Sequence, residues 1–229
     1  MLCPCLWLCL WKTKAKEKVK KTKVKLQKYF SKNRFKKIKT GISLVRYVDN
    51  FIIISKDKKQ LEQVKKIIYE FLKPRGFRIN EEKTTILHIS EGFNFLGWTF
   101  RKYPNNKLLC KISKQSISKH KKDIKLCIKT TSKPEILIPL LNNKIREWMN
   151  YHQCTNGLWK VWSHMNKYVY ERLMKWCQKR HSNKTKKWLY EKYWKSINNV
   201  KTFHYIKEKE YILKHYDFLQ RKVINYNLI

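Results

Sequence analysis

One carboxylate of this sequence stands where it could do chemistry. Asp49 lies in the stretch GISLVRYVDNFIIIS, residues 41–55, between two short runs of Val, Ile, Leu and Phe. A carboxylate held at the tip of a hairpin can bind a hard divalent cation such as Mg²⁺. However, an Asp49-Asn50 pair is also ordinary turn chemistry between two strands. The hairpin alone therefore leaves both a metal-binding role and a purely structural role open.

The segments around this hairpin predict the elements that would position it. Apolar runs rich in β-branched residues predict strands on both sides of Asp49. Residues 57–72 carry apolar side chains at helical spacing, and Pro74 and Gly76 follow them, so this segment predicts an amphipathic helix. The stretches TTILHI, FNFLGWTF and KLLCKI then predict further strands. Together they predict an α+β arrangement, an antiparallel sheet covered by a helix.

Beyond residue 113 the pattern becomes helical to the end of the chain. Ser132 and Pro134 open one predicted helix, and Gly157 separates it from a second. Residues around 185–195 predict a third helix. We expect apolar residues, including Trp162 and Trp176, to form the core of this half, because they share one helical face.

Composition restricts the class of function. The chain has 229 residues and a net charge of +38, with 42% hydrophobic residues and nine Trp, so it can build a core. Such a basic surface favours a polyanionic partner, RNA or DNA. No apolar stretch approaches the roughly 20 residues of a spanning helix, so we expect a soluble protein without a membrane partner. The seven cysteines show no disulfide framework or zinc-finger spacing, which favours a reducing compartment.

The start of the chain combines an apolar segment with a basic arm. Residues 1–11, MLCPCLWLCLW, lack the features of a secretory signal. In residues 12–39, 14 of the 28 side chains are Lys or Arg, against the single acid Glu17. Such blocks commonly bind nucleic acid, although a merely solubilising tail is the alternative. We expect residues 1–40 to be poorly ordered.

Two stretches of the second half carry a resemblance. NNKIREWMNYHQ and NKYVYERLMKWCQKRHSNKTKKWLYEKYW resemble the maturase domain (domain X) of group II intron-encoded proteins. The hallmark positions occur here in order as Arg146, Trp148, Asn150-Tyr151, Leu173, Trp176, Arg180-His181, Lys184, Trp188 and Lys192-Tyr193-Trp194.

The hairpin fits the same family. Tyr47-Val48-Asp49-Asn50 resembles the Tyr-Ala-Asp-Asp box of reverse transcriptases, GFRINEEKT resembles the next palm motif, and FNFLGWTF resembles the hairpin that grips the primer. The resemblance implies a partial reverse-transcriptase palm over residues 41–112 and an all-α thumb and maturase domain over residues 113–195. Residues 196–229 are predicted to be a basic helical extension.

The carboxylates limit the chemistry of this palm. Nucleotide transfer uses two metal ions about 4 Å apart, held by carboxylates from at least two places. The resemblance implies one such Asp on an earlier strand, but no Asp precedes Asp49 here, and the second hairpin position is the neutral Asn50. We therefore expect a vestigial metal site at Asp49 and Asn50, no catalytic residue, and no polymerase activity by the chain alone. The last 30 residues lack the His, Asn and Cys spacing of the endonuclease domain found in some members of the family, so no endonuclease is expected. No cofactor is expected, with Mg²⁺ needed only if another fragment completes the palm.

RNA binding is the function that remains. Residues 144–195 contain 13 basic residues, three acids and six tryptophans. Cations on a helix can contact phosphates, and exposed aromatics can stack on unpaired bases. Trp188 and Trp194 could equally be core residues. The candidate RNA-binding residues are Arg146, Arg172, Lys175, Lys179, Arg180, Lys184, Lys187, Trp188, Lys192 and Trp194.

The resemblance implies an RNA-binding maturase that assists the folding of a group II intron RNA in mRNA processing. One half of a split RNA-directed DNA polymerase, completed by a separate N-terminal reverse-transcriptase fragment, is the alternative, as is a nonspecific basic nucleic-acid-binding protein. No small-molecule substrate is expected. The abundance of Lys, Asn and Ile suggests an AT-rich organelle genome, with plastid favoured over mitochondrion.

Overall fold

A computed structural model describes residues 41–216 and, for the backbone alone, residues 7–12. The chain divides into two compact units. The first, here the sheet unit, comprises Met1–Phe93 and Arg101–Lys107, and the second, here the helical unit, comprises Asn94–Phe100 and Leu108–Ile229. This arrangement confirms the predicted α+β class, a palm-like fragment followed by a helical region.

The sheet unit is an antiparallel sheet with one helix. Its strands are β1 (Trp7–Lys12), β2 (Ser43–Tyr47), β3 (Asn50–Ser55) and β4 (Thr85–His88), in the order β2-β3-β1-β4. Helix α1 (Lys58–Leu72) begins where Asp57 Oδ1 accepts a hydrogen bond of 3.0 Å from the Lys59 amide. It buries one apolar face, as predicted, and the core of the unit consists of Ile53, Leu61, Val64, Ile68 and Leu72.

Two features of this sheet differ from the sequence prediction. Trp7–Lys12, in the predicted poorly ordered start, forms the strand β1, which pairs with both β3 and β4. The hairpin turn consists of Val48-Asp49 rather than Asp49-Asn50, because Asn50 already pairs with Tyr47 in the ladder. Val48 therefore takes a φ of +55°, which is unusual for a β-branched residue.

A second sheet follows, made of β5 (Phe93–Phe95), β6 (Trp98–Lys102) and β7 (Leu108–Ile112) in that order. These strands correspond to the predicted FNFLGWTF and KLLCKI. Gly97 takes a φ of +84° in the turn between β5 and β6, which a residue with a Cβ rarely adopts. Ser113, just after β7, accepts a hydrogen bond from the Ser116 amide and so begins the next helix.

The helical unit contains α2 (Lys114–Thr130), α3 (Pro134–His152), α4 (Leu158–Arg180) and α5 (Lys186–Tyr193). Pro134 occupies the first position of α3, and Gly157, with a φ of +71°, precedes α4. Trp162 is 3% exposed and lies in the core as predicted, and Trp176 packs against that core. The four described cysteines are free. No helix within residues 41–216 is both long and apolar enough to cross a bilayer.

The predicted helical extension is wrong for the residues that the structure describes. Residues 194–212 form a three-stranded antiparallel sheet: β8 (Trp194–Ile197), β9 (Val200–Ile206) and β10 (Glu210–Ile212). Asn198 and Asn199 both have positive φ, 49° and 61°, and make the two-residue turn between β8 and β9. Phe203, Leu213 and Tyr216 enter the core of the helical unit. Residues 13–40 and 217–229, with the basic arm and the end of the extension, lie outside the described part.

Candidate nucleic-acid interface

The hairpin places the amide of Asn50, and not a second carboxylate, beside Asp49. Asn50 Nδ2 donates a hydrogen bond of 2.9 Å to Asp49 Oδ1, so an amide occupies the position of a second carboxylate. Across residues 41–216, no three His, Cys, Asp or Glu side chains come together in a group that could hold a metal ion. The donors that residues 41–216 supply therefore do not fit the metal centre of a polymerase.

Three of the predicted RNA-binding cations, Arg172, Lys175 and Lys179, share one face of α4 and form a stripe of positive charge. Lys175 and Lys179 are exposed, whereas Arg172 is half-buried with its guanidinium carbon 5.0 Å from the centre of the Tyr168 ring. The Lys121 ammonium lies 5.1 Å from the same ring centre. Cations over an aromatic face are held by the ring's quadrupole, so Arg172 presents its charge from a fixed position. Lys175 and Lys179 extend this charge along the helix.

Two of the predicted arginines also make contacts inside the protein. Arg146 is exposed and donates a hydrogen bond of 2.7 Å to Asn143 Oδ1. Arg180 donates to the Ser132 carbonyl and lies 5.4 Å over the Trp176 ring. Arg180 therefore ties the end of α4 to the segment between α2 and α3, in addition to presenting a charge at the surface.

Trp188 lies among cations at the start of α5. The Lys184 and Lys192 ammonium groups lie 5.4 and 4.6 Å from the centre of its ring, and the two lysines are exposed. The His181 ring meets Trp188 edge-on at 5.2 Å, and burial together with the surrounding cations lowers the pKa of His181. Trp188 itself is half-buried. It thus combines packing with a partly accessible, cation-flanked aromatic surface.

Trp194 is a core residue rather than an exposed stacking platform. Its side chain is 5% exposed. The ring stacks on Tyr190 at 5.8 Å and an interplanar angle of 10°, and it meets Phe203 and Tyr170 edge-on at 5.1 and 5.4 Å. The prediction that Trp194 contacts RNA is therefore wrong. Its flanking lysines suggested exposure, but β9 supplies Phe203 as a cover that the local sequence does not reveal.

An open cleft between α4 and α5 joins predicted residues to others that the sequence analysis missed. It has a volume of about 490 Å³ and includes Lys175 and Lys187, both predicted and both exposed. Tyr170, Met174 and Gln178 recur every four residues beside the apolar stripe of α4, and that spacing is the signal that could have found them. The lining residues are Tyr170, Glu171, Met174, Lys175, Gln178, Lys186, Lys187 and Tyr190.

A buried group of polar aromatics joins α2 and α3 to the last described residue of the chain. His120 stacks on Trp148 at 4.3 Å and shares a hydrogen bond of 2.7 Å with the Tyr216 hydroxyl. His152 Nε2 lies 3.1 Å from Ser116 Oγ, but its buried Nδ1 has no partner within the described residues, so no catalytic triad is formed. Burial lowers the pKa of both histidines to about 4. This group is a neutral part of the core.

The ion pairs that the structure shows lie outside α4 and α5. Among residues 41–216, ion pairs join Lys195 to Glu210 and Lys207 to Glu135. No carboxylate among residues 41–216 forms an ion pair with the cations of α4 and α5. Such a surface attracts a polyanion and releases counterions when it binds one.

The sequence matches two family models. Residues 16–100 match the model described as "Reverse transcriptase (RNA-dependent DNA polymerase)", and residues 117–194 match "Group II intron, maturase-specific domain". The first match begins inside the basic arm, ahead of the predicted palm boundary at residue 41. The second contains α4, α5 and the cations described above.

Two relatives share the name "Ribosomal operon-associated A protein". The protein of Euglena gracilis is 32% identical over 99 residues, 42% of this chain, and that of Euglena longa is 30% identical over 161 residues, 66% of this chain. The aligned regions span 19% and 30% of the lengths of these relatives. Through its reverse-transcriptase segment and its maturase-specific domain, the chain belongs to the group II intron-encoded reverse transcriptase and maturase family.

Proposed function

We propose that this chain is an RNA-binding maturase that helps a group II intron RNA reach its splicing-competent fold. The observation that carries the proposal is the surface of α4 and α5, where cations that form no ion pair with the described residues stand beside aromatic rings on rigid helices. Fixed spacing lets such groups match one folded RNA better than another, whereas a flexible basic tail attracts any RNA.

In this proposal the protein binds and the RNA reacts. Lys175 and Lys179 contact phosphates, and the cation-flanked Trp188 contacts an unpaired base or sugar. The intron RNA itself performs the transesterification, with Mg²⁺ bound to the RNA. The protein requires no cofactor and no catalytic residue, and Asp49 takes no part.

The proposal places the protein in an organelle, with plastid favoured over mitochondrion. Two observations support it: the similarity to two Euglena proteins whose name associates them with a ribosomal operon, and the abundance of Lys, Asn and Ile in the sequence. Crosslinking the protein to cellular RNA and sequencing the bound species would identify the intron. Recovery of nuclear transcripts alone would contradict the proposal.

The binding surface can be tested with two variants of equal charge change. The first replaces Arg172, Lys175 and Lys179 with Ala. The second is a matched control that replaces Lys122, Lys125 and Lys129, three exposed lysines with the same spacing on α2. The first variant should reduce discrimination between the cognate intron and a control RNA of equal length, and the second should weaken binding to both RNAs alike.

Circular dichroism must be unchanged in both variants, so that the measurement reports contact rather than folding. Equal loss of affinity for both RNAs in the first variant would show that the α4 stripe supplies only nonspecific charge. The maturase function would then lose its structural support.

One observation favours a second candidate, the half of a split reverse transcriptase. Strand β2 lies at the edge of its sheet and exposes Leu44, Val45 and Tyr47, with 45%, 48% and 59% of each residue accessible. An exposed apolar edge strand is a ready site for another strand. Primer extension that appears only when a separate fragment is added, and that is lost in Asp49→Ala, would establish this role. If the added fragment gives no primer extension, and Asp49→Ala therefore changes nothing, the split-polymerase role is excluded.

A further inference from the structure

The cleft between α4 and α5 has one aromatic side and one basic side. Tyr170, 41% exposed, and Tyr190, half-buried, supply the aromatic side together with the thioether of Met174. Lys175 reaches the cleft from α4, and Lys186 and Lys187 reach it from the first turn of α5. A volume of about 490 Å³ has room for one nucleotide but not for a duplex.

Buried aromatic residues hold the two tyrosines of the cleft in place. Both tyrosines contact the buried Trp194, Tyr190 by stacking at 5.8 Å and Tyr170 edge-on at 5.4 Å. Trp194 is in turn fixed by Phe203 at 5.1 Å. A base that stacks here meets rings that are already ordered, so little conformational entropy is lost on binding. Trp194 thus acts as a positioning residue for the cleft.

The charges of the cleft complement a phosphate. Lys175, Lys186 and Lys187 are exposed and make no ion pair with any residue in the described part of the chain. Glu171 is the single acid that lines the cleft. The first turn of α5 carries no acid, so its amide dipoles and two lysines present positive charge to the same opening. Aromatic rings beside cations are the combination that holds an unpaired nucleotide.

We propose that this cleft receives a single unpaired nucleotide of the bound RNA, with its base against Tyr170 and Tyr190 and its phosphate against the lysines. The proposal rests on the RNA-binding function above and specifies which structural class of RNA is preferred: a helix interrupted by a bulged or flipped-out nucleotide. A fully paired helix keeps its bases stacked inside and leaves the cleft unfilled.

The test compares two RNA hairpins that differ only in one bulged nucleotide. The full-length protein should bind the bulged hairpin about tenfold more tightly, within the range that stacking of one base supplies. The Tyr170→Leu/Tyr190→Leu variant should bind both hairpins with nearly equal affinity. The Tyr170→Phe/Tyr190→Phe variant should keep the preference, because Phe retains the ring.

Trp159→Leu is the matched control, since it removes a 53% exposed aromatic that also stands beside a lysine, Lys160 at 5.3 Å. It should leave the preference for the bulge unchanged. The circular dichroism spectrum and the unfolding midpoint of the Leu double variant must match those of the Phe double variant. If the Leu double variant has a lower unfolding midpoint, the single variant Tyr170→Leu serves as the test.

A photocrosslinking experiment gives an independent readout. A 4-thiouridine at the bulged position should crosslink to peptides that contain Tyr170 or Tyr190. Crosslinks that map only elsewhere, or equal affinity of the unmodified protein for the two hairpins, would overturn the cleft proposal while leaving RNA binding intact. Failure to bind either hairpin or the intron would instead overturn the proposed function itself.

Discussion

The buried histidines make the stability of the helical unit depend on pH in a predictable direction. His120 and His152 are 6% and 1% exposed, and the pKa of each falls from an ordinary value of 6.5 to about 4. Burial is the main cause for both. For His120, Asp123 acts in the opposite direction, while His152 and Lys144 lower the pKa further.

The direction of this pH dependence follows from proton binding. Between pH 6.5 and about 4 the unfolded chain binds protons at these two positions and the folded chain does not, so acid favours unfolding. The contribution of the two neutral histidines to the free energy of unfolding is complete above pH 6.5 and is lost as the pH falls towards 4. At pH 5 the loss is roughly 2 kcal/mol for each histidine, or about 4 kcal/mol for both.

The assay is urea unfolding followed by tryptophan fluorescence at pH 7.5 and pH 5.0, at constant ionic strength. The His120→Gln/His152→Gln variant is compared with the unmodified protein, because a Gln side-chain amide can replace the Nε2 contacts to Tyr216 and Ser116. The variant should lose about 4 kcal/mol less between the two pH values. His164→Gln, at an exposed histidine, is the control.

If the unmodified protein and the double variant lose the same unfolding free energy on acidification, the reasoning is wrong. The two histidines would then be hydrated or charged in the folded state, and the polar aromatic group around Trp148 would not be the closed core described above.

Four further predictions concern other parts of the chain. The isolated chain should show no primer extension with Mg²⁺ or Mn²⁺, and any activity that Asp49→Ala abolishes would contradict this. Trp194→Ala should reduce the unfolding free energy by about 3 kcal/mol, whereas Trp188→Ala should mainly reduce the affinity for the intron. Urea unfolding curves and RNA-binding curves of both variants measure the two effects. Val48→Gly should raise the unfolding free energy by about 1 kcal/mol by relieving the positive φ, and a decrease would show that no strain was present. Replacing the lysines of residues 13–39 with Gln, which keeps the connection between β1 and β2, should flatten the slope of log affinity against log salt, and an unchanged slope would remove the arm from RNA binding.

Elements with a strong local signal could be predicted from the sequence. Helix α1 could be predicted because its apolar side chains repeat along one face and Asp57, Pro74 and Gly76 mark its ends. The helix Lys186–Tyr193 lies within the predicted segment 185–195 for a similar reason. In both helices, the residues that decide the structure are neighbours in sequence.

Elements that depend on distant partners could not be predicted. The short apolar segment Trp7–Lys12 becomes a central strand because β3 and β4 pair with it on both sides. Trp194 is buried because β9 brings Phe203 onto it. The turn at Asn198-Asn199 carries a local hairpin signal, which the prediction of a helical extension over residues 196–229 did not use.

The last described residues of the chain set the order in which the helical unit can be completed. Tyr216 contacts His120, 96 residues earlier, and its backbone bonds with the Asn166 side chain at 2.8 and 3.0 Å. At about 5 to 20 residues per second, translation needs roughly 5 to 20 s to cover that distance. During this interval α3 and α4 are themselves translated, and until Tyr216 follows, the core of α2, α3 and α4 lacks this residue. The apolar faces of these helices are uncovered while their lysines can already attract RNA, so the first encounter with RNA can precede the end of folding.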